Sequence, residues 1–400
     1  MADKKKIAAI VTSYHPRSHA DVIVTKFMKG FPTDLHGRLE PQLELASLYL
    51  DQIHERDIGL GFAAEHGVPV FPSIRSALTL GGKELAVDGV LLVGEHGDYA
   101  YDEQGRHLYP RRHLMEQTCG VFASSGRSVP VFSDKHLSYN WTDAKWMYDR
   151  ARQLKAPFMA GSSLPTCWRD PWLEHDLETP IEAAVGIGYG GLESYGFHAL
   201  ETLQCMVERR RGGETGVAAV QCLEGNAVWE AGKDGRWSRE LATAACAPME
   251  GKPEGSFEQG CQSPAAFLIE YRDGLQAAVL MLNNYVHGFG YAARVNGEAR
   301  GTAFVLQNGE PFGHFSYLSL NIQEMFLTGR PTYPVERTLL TTGILDAVME
   351  SRARGYQRVE TPHLAIAERS YEELRGRAPG SKPAGAMLDP WPTEPGAPKG

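Results

Sequence analysis

The sequence predicts an α/β protein with a doubly wound parallel sheet, followed by an α+β domain whose large open sheet is mostly antiparallel. Three observations predict this architecture. Strand-like apolar runs alternate with helix-like stretches over the first 160 residues, which is typical of right-handed β-α-β crossovers. Beyond residue 180, short strand-like runs are separated by hairpin signals such as Asp273-Gly274 and Asn296-Gly297. Helical periodicity returns after residue 318.

Each element of the first part is predicted from its periodicity and its boundary residues. The apolar run at 7–12 is typical of a strand buried on both faces. Gly67 favours a helix end, and Ser73 and Thr142 favour helix starts. The predicted strands are 7–12, 43–50, 68–71, 87–93, 129–132 and 155–161. The predicted helices are 20–30, 58–66, 73–80, 111–122 and 142–154.

The second part begins with a long helix at 196–211 and continues as a run of short strands. Those strands are predicted at 216–224, 227–231, 265–271, 275–283, 291–296 and 301–306. Two helices follow, at 318–328 and 334–354. The Pro- and Gly-rich end predicts an extended tail outside any core. We therefore expect three segments: 1–160, 161–376 and the tail 377–400.

Composition restricts the class of protein. The chain of 400 residues carries 49 acidic residues against 40 Lys and Arg, a formal net charge of −9, which argues against nucleic-acid or membrane partners. No run of about 18–20 apolar residues indicates a membrane span, and the N-terminal apolar run is too short for a secretion signal. Six scattered cysteines are typical of reduced, buried thiols. The expected location is cytoplasmic.

Five local stretches, taken in order, carry a family resemblance. They are AAEHGVPVFPSIRSAL, VDGVLLVG, VPVFSDKHLS, GFHALETLQCMV and FLTGRPTYPVERTLLTTGILDAVMESRARG. The ordered set resembles the Gfo/Idh/MocA family, which includes glucose–fructose oxidoreductase and inositol dehydrogenase, over most of residues 7–360. The resemblance implies a Rossmann domain, NAD or NADP as cofactor, and oxidation of a secondary hydroxyl on a sugar, cyclitol or glycoside-like substrate. It also implies an active-site lysine at Lys135, an active-site histidine at His198, and a homo-oligomer, a dimer or tetramer, often formed sheet to sheet.

The dinucleotide-binding loop departs from the family pattern. Val11, Ser13 and Pro16 stand where three glycines would allow a tight turn and close approach to a pyrophosphate. Two interpretations remain open: a cofactor bound by another loop geometry, or a pocket no longer used for NAD. The candidate cofactor-binding residues are Thr12, Ser13, His15, Arg17, Gly94 and Asp51, the last placed to hold the adenosine ribose.

A polar and aromatic insertion at 94–113 leaves the carboxyl end of a central parallel strand, where ligands bind in open α/β sheets. We expect Glu95 and His96 to act as catalytic groups beside Lys135 and His198. Aromatic and Arg side chains suit the recognition of a sugar ring. The candidate substrate contacts are Asp98, Arg111, Arg112, Trp168, Arg169, Tyr195 and His287.

Histidines near the predicted strand ends suggest a second chemistry. Glu95, His96, His136 and His198 could together hold Zn, Mn or Fe and polarise a hydroxyl or carbonyl group. The alternative function is therefore a redox-neutral, metal-assisted lyase, hydrolase or isomerase on the same scaffold. A third possibility is a ligand sensor or dimerisation partner without catalytic activity. For either enzyme the expected substrate is a small carbohydrate-like molecule.

Overall fold

The computed structural model describes residues 4–372 and residue 380, so nearly all of the predicted tail 377–400 lies outside the described residues. Both predicted sheets are present: one of five strands and one of eight. All pairings in the first are parallel, and all but one in the second are antiparallel. The predicted fold class is confirmed.

The first sheet has the strand order β4-β1-β5-β6-β7, so the chain winds outward in both directions from β1. The strands of the first part are β1 Lys5–Val11, β2 Phe31–Thr33, β3 Gly37–Leu39, β4 Leu43–Leu50, β5 Gly89–Val93, β6 Val131–Asp134 and β7 Phe158–Gly161. The helices are α1 His19–Ile23, α2 Lys26–Lys29, α3 Gly59–Glu65, α4 Ile74–Thr79, α5 Arg111–Ser125 and α6 Trp141–Gln153. Because these strands are parallel, their carboxyl ends share one edge.

The second sheet has the order β15-β10-β11-β12-β9-β13-β14-β8. Its strands are β8 Trp168–Asp170, β9 Ile181–Gly188, β10 Val217–Glu224, β11 Ser263–Tyr271, β12 Gln276–Asn283, β13 Phe289–Val295, β14 Glu298–Val305 and β15 Val359–Glu360. The helices are α7 Ser194–Val207, α8 Asn226–Lys233, α9 Arg239–Cys246, α10 Phe257–Gly260, α11 Gly313–Thr328 and α12 Glu336–Ala353.

Apolar side chains cover both faces of the second sheet. Helices α7 and α12 pack on one face through residues such as Phe197 and Ile344, and α8, α9 and α10 pack on the other. Helix α11 returns to the first sheet, where Leu318 and Phe326 join the core formed by β1 and β4. Helix α11 lies after residue 160 in the sequence but packs on the first sheet, so the predicted domain boundary at residue 160 stays a prediction.

Three local predictions need correction. The helix predicted at 20–30 is two short helices, α1 and α2, and the strand at 68–71 is a single bridge between Leu48 and Val70. The strand predicted at 227–231 is helix α8, because Val228 and Ala231 share one buried helical face against the sheet. The helices α9 and α10 were not predicted.

The six cysteines are all free and buried, as predicted. Among the residues that the structure describes, no helix is both long and apolar enough to cross a membrane.

Candidate active site

A cleft of about 910 Å³ opens at the carboxyl edge of the parallel sheet and extends along the second sheet. Both parts of the chain contribute to it. The lining includes Arg17, His19, Glu95, His96, Lys135, His136, Glu193, Tyr195 and His198. The structure thus brings together all four residues predicted to be catalytic: Glu95, His96, Lys135 and His198.

Glu95 is the centre of a buried ion cluster. The Lys135 Nζ donates to Glu95 Oε1 at 2.8 Å, and the Arg111 guanidinium donates to Oε2. All three side chains are buried, with exposed fractions of 6% for Glu95, 4% for Lys135 and 1% for Arg111. Burial would raise the pKa of Glu95, but Lys135 and Arg111 oppose it and hold that pKa well below its usual range. The carboxylate is therefore charged and fixes the lysine ammonium in the cleft.

The backbone around this cluster is strained. Lys135 and His96 have φ angles of 56° and 68°, in the left-handed region that non-glycine residues seldom adopt. The Lys135 amide bonds Gly161 O at 3.1 Å, and the Thr12 hydroxyl donates to Glu95 O at 2.8 Å. Such strain clusters at functional sites, where surrounding contacts hold it in place.

Three of the cleft histidines, His96, His136 and His198, are neutral. Burial lowers the pKa of His96 to about 3 and holds those of His136 and His198 well below their usual range. His198 is the fifth residue of α7, and its Nδ1 is buried without a hydrogen-bond partner. A neutral imidazole with a free nitrogen can accept a proton from a bound substrate.

His19 and Asp134 form a dyad that the sequence did not predict. His19 Nδ1 lies 2.7 Å from Oδ2 of Asp134, whose side chain is fully buried. This contact assigns the proton to Nδ1 and turns the other face of the ring toward the cleft, which His19 lines. Asp134 ends β6 and His19 begins α1, so both lie near the carboxyl edge of the parallel sheet, but their pairing depends on side-chain directions that the sequence does not show.

Glu193 was also missed as a site residue. Its carboxylate lines the cleft, accepts the His107 backbone N–H at 2.9 Å, and lies 3.8 Å from His136 Nε2. Burial raises the pKa of Glu193 to about 7, although the His107 amide and Arg111 oppose that rise. A carboxyl group with this pKa can donate or accept a proton near neutral pH.

The predicted metal ligands do not assemble into a ligand group. The Glu95 carboxylate is engaged by two cations, and His136 Nε2 lies 3.3 Å from the Arg111 guanidinium. Within residues 4–372 and 380, no three His, Cys, Asp or Glu side chains are placed to share an ion. The arrangement gives the metal hypothesis no support.

The adenosine end of the predicted nucleotide groove is filled by the chain itself. Asp51 follows β4 as predicted, but its carboxylate accepts hydrogen bonds from Tyr49 at 2.8 Å and from Tyr99 of the insertion at 2.6 Å. The Gln52 side chain also bonds both backbone groups of Asp98, at 2.7 and 3.1 Å. Asp51 itself is exposed, but both phenols compete with a ribose for its carboxylate.

Backbone amides in the loop that would hold a pyrophosphate are also engaged by the chain itself. The His15 amide donates to the Ser18 hydroxyl, and the Arg17 amide donates to the Asp21 carboxylate at 2.7 Å. The His15 ring lies 4.7 Å from His54 and 5.2 Å from His96, between centroids. Ser13 is buried with an unpartnered hydroxyl. Glu95 lines the cleft at the predicted nicotinamide end, whereas Gly94 is buried against Arg111 outside the lining, and the groups predicted at the adenosine end are engaged by the chain itself.

Several predicted substrate contacts lie outside the cleft lining. Trp168 and Arg169 are 2% and 0% exposed, and they bond Asp34 and Glu174. Both side chains pack and form hydrogen bonds between segments of the chain. The sequence spacing could not distinguish this structural role from ligand binding. Arg112 pairs with Asp143 on the surface of α5. Asp98 is exposed beyond the cleft, and His287 packs near Tyr189, at 6.1 Å between ring centroids.

Comparisons with known proteins identify the fold. No protein-family model and no curated protein sequence matches the chain. Among solved structures, GenD2 from gentamicin A biosynthesis, in complex with NAD, is 14% identical, with a TM-score of 0.56 over 90% of this chain and 97% of that one. Scyllo-inositol dehydrogenase from Lactobacillus casei, with NAD(H) and scyllo-inositol, is 12% identical, with a TM-score of 0.54 over 90% and 99%.

A third solved structure has the same architecture. Myo-inositol 2-dehydrogenase from Lactobacillus plantarum is 11% identical, with a TM-score of 0.53 over 90% of this chain and 99% of that one. The predicted resemblance to inositol dehydrogenases and their relatives is thus confirmed at the level of the fold.

Proposed function

We propose that the chain is an oxidoreductase that acts on a secondary hydroxyl group of a sugar, cyclitol or glycoside-like substrate in the cleft. One observation carries the proposal: Lys135, fixed by Glu95 at 2.8 Å, and the neutral His198 line the same cleft. These are the positions that the family resemblance gives to the active-site lysine and histidine. The dehydrogenases with which the chain shares its fold act on such hydroxyl groups, as their names state.

Oxidation of a secondary alcohol removes a proton from oxygen and a hydride from carbon. His198 accepts the proton, because burial keeps its imidazole neutral and Nδ1 has no partner. The Lys135 ammonium uses one donor on Glu95 and retains two others, which stabilise the negative charge that develops on the substrate oxygen. Glu193 and the His19–Asp134 dyad supply further groups for relaying the proton out of the cleft.

An NAD or NADP cofactor supplies the hydride acceptor when bound. Glu95 would border its nicotinamide end, and Asp51 its ribose, once Tyr99 has left that carboxylate. The same contact between Tyr99 and Asp51 favours a second candidate, a redox-neutral lyase or isomerase that uses only the proton-transferring groups of the cleft. The two candidates differ in whether a dinucleotide binds.

The deciding experiment is native mass spectrometry of the purified chain with NAD⁺ and NADP⁺, combined with elemental analysis. Stoichiometric binding of either nucleotide supports the oxidoreductase. Turnover of a polyhydroxylated substrate without any nucleotide rejects it in favour of the second candidate, and a stoichiometric metal without nucleotide rejects both.

A substitution tests the lysine directly. We expect Lys135→Met to lower kcat by about 10²- to 10⁴-fold, because it removes the donor to the reacting oxygen. Lys145→Met is the matched control, since Lys145 lies on the surface of α6 and pairs with Asp149. Equal activity of the two variants would exclude Lys135 from the mechanism.

A further inference from the structure

The cleft is larger than one sugar ring requires. Its volume of about 910 Å³ is near the upper end of the roughly 300–1,000 Å³ that hold drug-sized ligands. Beyond the reacting end at Lys135 and His198, the lining continues as an outer arm. This arm is lined by Tyr101, Gly105 and His107 of the insertion and by Glu224, Met349 and Arg352 from the second part of the chain.

The insertion that builds this arm is firmly held. Tyr101 and His107 form a β-bridge, and the Asp102 carboxylate accepts the Gln104 and Arg106 amides, each at 2.9 Å. The Arg106 guanidinium then bridges Asp102 and Asp346 of α12. The arm is therefore preformed, so a ligand would not have to order it.

Tyr101 presents a flat surface to the arm. Its ring is 65% exposed and stacks on His107 at 4.1 Å between centroids, with 24° between the planes. His107 continues the stack to Tyr109 at 3.9 Å, and the Arg111 guanidinium lies 4.8 Å from the Tyr109 ring. The stack supports one face of the Tyr101 ring and leaves the other face exposed. Tyr99, two residues earlier, is directed elsewhere and donates a hydrogen bond to Asp51.

Polar groups complete the arm. Arg352 donates to Glu224 at 2.8 Å, and both side chains are partly exposed, at 42% and 30%, so they can also bond hydroxyl groups. Tyr195 of α7, 40% exposed, lines the same cleft from the other part of the chain. An exposed aromatic face beside hydroxyl-binding polar groups suits a ring with one apolar face.

We propose that the substrate is a glycoside of two joined rings, with the reacting ring at Lys135 and His198 and the second ring on Tyr101. This inference rests on the proposed function, because it assigns the reacting ring to that site. The shared chemistry of the second ring is an apolar face that stacks on an aromatic side chain. A second sugar and an aromatic aglycone both provide it.

Binding, measured apart from turnover, tests the proposal. Glucose, galactose and myo-inositol are titrated calorimetrically against cellobiose, lactose, galactinol and phenyl β-glucoside, with ligand-observed NMR as a second readout. We expect at least one two-ring compound to bind at least about threefold more tightly than its single ring, since aromatic stacking corresponds to about two- to tenfold in affinity. The phenyl compound and the disaccharides distinguish the two kinds of second ring.

Variants at Tyr101 locate the second ring. Tyr101→Ala should remove the preference for two rings, and Tyr101→Phe, which keeps the ring, should retain it; neither should alter single-ring affinity. Loss of affinity for both classes, no loss for either, or failure of every two-ring compound to bind would overturn the proposal. Two-ring binding without oxidation would instead reject only the proposed reaction, and oxidation of single rings without any preference would reject only the two-ring substrate.

Discussion

Glu193 couples the protonation of the cleft to the stability of the fold. Burial raises its pKa from 4.5 to about 7, so the folded chain holds this proton through a range in which the unfolded chain releases it. The wild-type free energy of unfolding should therefore fall as the pH rises from about 4.5 to about 7, and level off above that. At pH 7 this titration lowers the free energy of unfolding by about 1–3 kcal/mol. We expect Glu193→Gln to abolish this pH dependence of stability. The variant should also lose the limb of the activity profile near pH 7.

Denaturant titrations between pH 5 and pH 8 measure the first effect, and initial rates over the same range measure the second. Glu201→Gln is a matched control, because burial also raises the pKa of Glu201 to about 7, while its carboxylate bonds Ser162 and Thr338. The control should alter the stability slope and leave the activity profile unchanged. Identical pH profiles for Glu193→Gln and wild type would show that Glu193 does not titrate as described.

Residues of the site were predictable to the extent that the chain places them at strand ends. Lys135, His198, Glu95 and His96 meet because the ends of the parallel strands and the N-terminal half of α7 lie at one edge. Partners fixed by side-chain direction were not predictable. Arg111 was expected to bind substrate, but in the structure its guanidinium donates to the Glu95 carboxylate. The pairing of His19 with Asp134 depends on rotamers that no local pattern reveals.

At the scale of elements, the insertion between β5 and α5 decides access to the nucleotide groove. We expect Tyr99→Phe to raise the affinity for NAD⁺ by about two- to tenfold, because it removes one hydrogen bond, about 0.5–1.5 kcal/mol, that holds the insertion on Asp51. Tyr49→Phe is the matched control: it removes the other phenol from the same carboxylate without releasing the insertion. Calorimetric titration measures both. An increase of equal size in the two variants would contradict the proposed closure.

The elements themselves were predictable where burial dictates periodicity. Strands β1, β4 and β5 are apolar on both faces, and each was predicted within two residues of its observed ends. The strand predicted at 227–231 was wrong, because a short apolar run fits both the strand period and the helix period. In the structure this segment packs on the sheet as helix α8. The contacts of Tyr99 with Asp51 were not predictable, since they depend on the conformation of the 17-residue loop between β5 and α5.

For the whole molecule, the helices α8, α9 and α10 determine which surface of the second sheet is available. Leu280 and Ala292 on that face pack beneath Leu241 and Ala245 of α9. The family resemblance implied that this kind of sheet often meets its copy in a second chain. Here the chain covers the face with its own helices, so an oligomer, which remains a prediction, would have to form elsewhere.

Gly301 of β14 is where this cover can be tested. A Cβ at that position would stand 2.1 Å from the Ala244 carbonyl oxygen, so Gly301→Ala must push α9 off the sheet. We expect it to lower stability by at least about 1–3 kcal/mol and to expose apolar surface that associates. Thermal unfolding and light scattering measure these effects. Gly120→Ala, whose Cβ meets nothing within 4 Å on helix α5, should instead be neutral or stabilising. A monodisperse, fully stable Gly301→Ala chain would show that α9 is not essential to the covered face.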